Sequence, residues 1–256
     1  MITSKYLVDL FGYGFQAHDN DAVVEKKQLR KWGQFTPHTI HPLGTVIFDL
    51  DGVLVDSKKE YVKSWIVAAH HFGLHHLSED ELFSIMNRPV DVQVRYILRD
   101  VYTPTFAKEF LAYRHKQRLA SPVENIRLYA GIKDMLRRLV ARGSVLAVCT
   151  NKPHDFAHII LAECGISKYF SYVRGVCSGL RPKPSPDMVY AILKESGAPL
   201  RSTIFIGDSV SDVYAARNAG IASGVACWGY TTKTTLLATK PDYVFDSCES
   251  VARQCD

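Results

Sequence analysis

Apolar positions along this chain fall into two patterns that take turns. Thr45-Val46-Ile47-Phe48, Val145-Leu146-Ala147-Val148-Cys149 and Thr203-Ile204-Phe205-Ile206 are short runs with almost no polar interruption. They predict strands buried on both faces, as in a parallel sheet covered by helices. Further strands are predicted at Tyr172 to Val176, Ala222 to Cys227 and Tyr243 to Phe245. Between these runs the apolar spacing changes to three and four, predicting helices over 132–142, 155–164, 186–196 and 210–219. Such alternation belongs to a doubly wound α/β sheet.

One stretch departs from it. Glu60 to Phe72 is helical and stops at Gly73, Ser78-Glu79-Asp80-Glu81 is a capped helix start, and amphipathic runs follow around Val90 to Val101 and Phe106 to Leu119. An all-helical insert after the first strand predicts a small cap domain at 58–122 on a core made of 45–57 and 123–256. Its hinges are expected near 55–58 and 121–126. Residues 1–44 are a separate N-terminal extension, in which Val23 to Trp32 has the spacing of a short basic amphipathic helix packed on the core.

Composition narrows the class. With 256 residues, 47% of them hydrophobic, the chain can bury a large core. No apolar run has the length of a membrane span, and Asp9 interrupts the apolar start, so a secretory signal is not expected. The six cysteines form no CxxC pair and read as reduced thiols of a cytoplasmic protein. A diffuse net charge of +5 suits a small anionic substrate better than nucleic acid. No partner beyond a monomer or homodimer is expected.

The chemistry-bearing residues follow the predicted strands. Asp49 and Asp51 leave the first strand two positions apart and enter a glycine turn in Asp49-Leu50-Asp51-Gly52-Val53-Leu54-Val55-Asp56-Ser57. Thr150-Asn151-Lys152-Pro153 ends a second strand. Lys183 sits between two prolines in Arg181-Pro182-Lys183-Pro184-Ser185-Pro186-Asp187, and Gly207-Asp208-Ser209-Val210-Ser211-Asp212 closes a third strand. In open α/β sheets, ligands lie beyond the carboxyl ends of the strands, where these pieces converge.

In these four motifs the sequence resembles the haloacid dehalogenase superfamily, and within it the phosphoglycolate phosphatase-like branch with a helical cap. That resemblance implies a Rossmann-like core and a Mg²⁺-dependent phosphatase acting on a small phosphorylated metabolite. Asp49 is then the nucleophile, since a carboxylate is ionised without activation. Asp51 is the acid that protonates the leaving alkoxide and then the base that activates water. Mg²⁺ falls to Asp49, Asp208 and the backbone carbonyl of Asp51, with Asp212 orienting metal-bound water. Lys183 supplies a second positive charge, and Thr150 with Asn151 holds phosphoryl oxygens. Arg88, in the cap loop Ile85-Met86-Asn87-Arg88-Pro89-Val90, is expected to meet the part of the substrate that is not hydrolysed. The rival is a β-phosphoglucomutase-like phosphotransferase. Such mutases carry a histidine five residues after the aspartate equivalent to Asp56, where this chain has Tyr61. His70-His71 and His75-His76 look like metal ligands by composition, but Gly73 separates the pairs, and cap packing is the preferred reading.

Overall fold

A computed structural model describes residues 44–254 apart from 87, 89, 121, 122 and 178. The basic helix expected at 23–32 lies outside the described residues. The first half of the chain gives β1 (Thr45–Phe48), β2 (Val55–Asp56), α1 (Lys58–His71), α2 (Glu79–Ser84), α3 (Val90–Leu98), α4 (Pro104–Ala120), β3 (Arg127–Leu128) and α5 (Ile132–Ala141). The second half gives β4 (Val145–Pro153), α6 (His154–Glu163), β5 (Tyr172–Val176), α7 (Asp187–Ser196), β6 (Thr203–Gly207), α8 (Val210–Ala219), β7 (Ala222–Ala226), α9 (Lys233–Ala238), β8 (Tyr243–Phe245) and α10 (Cys248–Gln254).

The described residues build a six-stranded sheet in the order β5-β4-β1-β6-β7-β8, parallel throughout. Its apolar runs serve both faces. Val46 and Phe48 join one buried cluster with Leu146, Val148, Ile204 and Ile206, while Ile47 joins another with Ala147, Cys149 and Phe205. Alternate residues of a strand point to opposite faces, so a run without polar positions marks a strand with a core on each side. Helix α5 lays Ile132, Met135, Leu136 and Leu139 on the first cluster, and α7 lays Met188, Val189, Ile192 and Leu193 on the second.

Helices α1 to α4 pack round an apolar cluster of their own, centred on Trp65 and Phe110, whose rings lie 6.0 Å apart. Ser78 and Glu81 close the expected capping box at α2. Two local features differ from the sequence expectation. The connections to the helical insert are joined as an antiparallel ribbon, Val55 opposite Leu128 and Asp56 opposite Arg127. Strand β4 also runs past Cys149 to Pro153, because Pro153 pairs with Val176 after a register shift. Thr150, Asn151 and Lys152 therefore lie in an irregular stretch of strand, which re-aims side chains away from simple alternation.

Candidate active site

Register brings the motifs together. Phe48 stands opposite Val148 and Ile206, so the next residues of β1, β4 and β6 emerge side by side at the carboxyl edge. Asp49 continues the ladder with its N–H on the Ile206 carbonyl at 2.9 Å. Its Oδ1 accepts from the Leu50 N–H at 2.7 Å and lies 2.9 Å from Lys183 Nζ. Lys183 also donates to Asp212 Oδ1 at 2.6 Å and to the Cys149 carbonyl at 3.0 Å. Asp212 is held by the start of α8, where Oδ2 accepts from the Ser209 N–H at 3.0 Å and the Ser209 hydroxyl at 2.6 Å. Asp208 Oδ2 accepts from the Tyr230 N–H at 2.7 Å.

Oxygens of Asp49, Asp208 and Asp212 lie within 4.8 Å of one another, and all three residues are buried. Glycine makes the crowding possible. A Cβ on Gly52, whose φ is +78°, would stand 2.1 Å from Asp208 Oδ2, and one on Gly207 would stand 2.2 Å from the Asp212 Cβ. Burial, opposed by Lys183 and reinforced by Asp212 and Asp51, pushes the Asp49 carboxyl up to about 7. Asp208 is raised well above the ordinary range by burial and by its two acidic neighbours. Burial alone would lower the Lys183 ammonium, but Asp212 and Asp49 together hold it above its usual value. Three buried carboxylates lie together with one lysine that contacts two of them, an oxygen-rich donor set with surplus negative charge that fits a hard divalent cation.

Asp51 does not join this trio. Its Oδ1 accepts from the Ser57 hydroxyl and lies 3.1 Å from Lys152 Nζ. The two aspartates are only two positions apart in the chain, but β1 ends at Phe48 and the turn sends them apart. Ser57 is itself fixed through its N–H, which donates to Tyr230 Oη at 2.7 Å. Thr150 is buried, one residue after the Cys149 whose carbonyl Lys183 holds, and its Oγ1 accepts from the Lys152 N–H at 3.2 Å.

Comparison with known proteins places this geometry. The family model described as haloacid dehalogenase-like hydrolase matches residues 46–226. The chain belongs to this family. A phosphoglycolate phosphatase of Agrobacterium fabrum is 31% identical over 215 residues, covering 82% of this chain and 91% of that one. Another, from Haemophilus influenzae, is 32% identical over 207 residues, covering 78% of this chain and 92% of its own. The crystal structure of a predicted phosphoglycolate phosphatase from Haemophilus somnus 129PT superposes with a TM-score of 0.77 at 28% identity, covering 85% of this chain and all of that one. This member of the haloacid dehalogenase-like hydrolases is a phosphatase, a phosphoric monoester hydrolase.

Other sequence-selected residues have varied settings in this family member. Asn151 clamps the Lys183 loop, donating to the Lys183 carbonyl at 3.0 Å and accepting from its N–H at 2.8 Å. Arg88 is exposed in the α2–α3 connection, and among the described residues no partner holds its guanidinium. Tyr61 is buried in the apolar cluster of α1 to α4 and donates to Gln93 Oε1 at 2.9 Å. Three of the four histidines are occupied in ring packing: His71 stacks on Tyr113 at 3.8 Å, and His70 lies 4.9 Å from His75.

Sequence reasoning missed the setting of Lys152. It is buried against Asp51 and, at 3.8 Å, Glu60, which pairs with Arg118. Burial lowers the Lys152 ammonium, and Asp51 opposes that. The available signal was Lys152's place two residues after the strand-end threonine. Nothing in the local text indicated that its partners come from residues 51 and 60. Among the described residues, no helix is long and apolar enough to cross a membrane.

Proposed function

We propose that this phosphatase is a Mg²⁺-dependent phosphomonoesterase that passes the phosphoryl group through Asp49, on a small anionic substrate of the phosphoglycolate or sugar-phosphate kind. The observation that carries it is the buried Asp49–Lys183–Asp212 contact beside Asp208. Asp49, Asp208 and the Asp51 carbonyl would hold the ion and Asp212 would orient water on it; bound there, it would supply positive charge to the dianionic phosphate and polarise its oxygens. Asp49 Oδ1 is held by Leu50 and Lys183, which leaves Oδ2 to attack phosphorus. The alkoxide leaves with a proton from Asp51. A water then gives its proton to Asp51 and hydrolyses the aspartyl-phosphate. Thr150 Oγ1 and nearby backbone N–H groups hold the phosphoryl oxygens, while Lys183 shares its charge between them and Asp49. Residues 58–122 form the cap that covers the site, with Arg88 toward the distal end of the substrate.

Phosphoglycolate enters as a candidate because the relatives carry that name. The buried, hydrogen-bonded Tyr61 offers no proton-handling group for a second transfer, so hydrolysis is preferred over mutase chemistry. A panel of phosphorylated metabolites, assayed for inorganic phosphate with Mg²⁺ and with chelator, tests this reading. Release of phosphate from a small anionic ester, lost with chelator and abolished in Asp49→Asn, is expected. An isomerised sugar phosphate without net phosphate release would overturn it, as would normal turnover by Asp49→Asn.

A further inference from the structure

Lys152 stands where the α/β core meets the helical insert. It comes from the irregular end of β4, yet the two carboxylates around it come from opposite sides. Asp51 Oδ1, on the core loop after β1, is 3.1 Å from Nζ, and Glu60 Oε2, on α1, is 3.8 Å away. Arg118 of α4 grips Glu60 with two bonds, Nε to Oε1 at 2.7 Å and the terminal nitrogen to Oε2 at 3.2 Å. The side chains of Lys152, Glu60 and Arg118 are 6%, 7% and 6% exposed. The ring of Phe156, on α6 of the core, lies 4.2 Å from the Arg118 guanidinium carbon and 5.0 Å from Lys152 Nζ.

Asp51 feels the consequence. Ser57 and Lys152 both hold Oδ1, and among the described residues nothing holds Oδ2. A carboxyl tied at one oxygen by two donors presents the other in a fixed direction. We propose that Lys152 is the positioning residue that aims Asp51, and that Glu60 and Arg118 make its placement depend on α1 and α4 lying on the core. The inference rests on the acid role of Asp51 given above. It adds that a buried cation shared between the core and the insert keeps that acid aligned.

The test compares kcat/KM for two substrates, because this quantity reports steps up to the departure of the leaving group. One is the best alkyl phosphate from the metabolite panel, whose alkoxide needs a proton; the other is 4-nitrophenyl phosphate, whose leaving group does not. Lys152→Met is expected to lower kcat/KM on the alkyl phosphate roughly 10-fold to 100-fold more than on the aryl ester, part of the 10²-fold to 10⁴-fold range of general acid catalysis. Lys152→Arg, which keeps the charge, is expected to recover part of the difference. Glu60→Gln should shift the same ratio by roughly 3-fold to 10-fold, and should not shift it further once Lys152 is methionine.

Equal losses on both substrates in Lys152→Met would overturn the proposal. Should that variant fail to fold, Lys152→Arg and Glu60→Gln decide, and an unchanged ratio in both overturns it. Asp51→Asn separates the two levels of the argument. If it shows the selective loss and Lys152→Met does not, the positioning role alone fails; if Asp51→Asn shows none, the acid role fails and the proposal with it.

Discussion

Replacing Lys183 with methionine keeps the length of a buried side chain and removes the ammonium that touches Asp49 at 2.9 Å and Asp212 at 2.6 Å. Taking one partner from a buried ion pair leaves an uncompensated charge and costs about 3–5 kcal/mol. For a chain of this size each kcal/mol moves Tm by about 2–4 °C, so metal-free Lys183→Met should melt roughly 6–20 °C below the parent at pH 8. The pH dependence fixes the sign. Asp49 stands at about 7 when folded against an ordinary value of 3.8, with burial raising it and Lys183 holding it down. Without Lys183 it rises further. Between the unfolded and folded values the folded state binds a proton that the unfolded chain releases, so this group's contribution is present at low pH and lost as pH rises through the folded value. The deficit of Lys183→Met should therefore shrink when pH falls from 8 to 5. Saturating Mg²⁺ at pH 8 should restore part of it by bringing positive charge back to the same carboxylates. Thermal melts of both proteins at pH 5 and 8, with Mg²⁺ and with chelator, make the measurement. A deficit that is the same at both pH values would refute the account of Lys183 as counter-charge to the buried acids.

Gly52→Ala places a Cβ 2.1 Å from Asp208 Oδ2 at a φ of +78°, so it should weaken Mg²⁺ activation more than it lowers Tm, the left-handed backbone itself costing about 1–2 kcal/mol. An unchanged midpoint of the Mg²⁺ titration would show that Asp208 needs no such close approach. Arg88→Ala should lower kcat/KM on the physiological substrate roughly 10-fold to 150-fold, the value of a charged hydrogen bond of about 1.5–3 kcal/mol, and should leave a small aryl phosphate almost unaffected. Parallel losses on both substrates, or none, would move the search for the specificity residue to Lys58 and Lys59. Lys58 Nζ now lies 3.5 Å from the centre of the Phe83 ring.

Much of the architecture is legible in local text because it depends on local periodicity. Unbroken apolar runs at β1, β4 and β6 announce strands with a core on both faces, and the threefold and fourfold spacing of Ile132, Met135, Leu136 and Leu139 announces the helix that covers one face. The helical insert is legible for the same reason, from Gly73 ending α1 and Ser78 with Glu81 opening α2. That Asp49 and Asp208 meet follows from one further rule, that parallel strands carry their ligands at the carboxyl edge.

Periodicity says nothing about which buried charge finds which partner. Asp49 and Asp51 are two residues apart in the chain, but the turn after Phe48 sends one to Lys183 and the other to Ser57 and Lys152. Asn151 reads as a group aimed at substrate, while its amide is engaged by the backbone of Lys183, thirty-two residues away. Lys152 reads as one more strand-end lysine until β4 is seen to extend to Pro153 and α1 and α4 bring Glu60 and Arg118 to it. The sequence by itself determined the elements, their order and the residue types that stand at the strand ends, since hydrophobic spacing and residue type are local properties. Tertiary structure alone decided the pairing of the buried charges, because a desolvated charge is stabilised by whatever opposite charge packing places within about 4 Å of it.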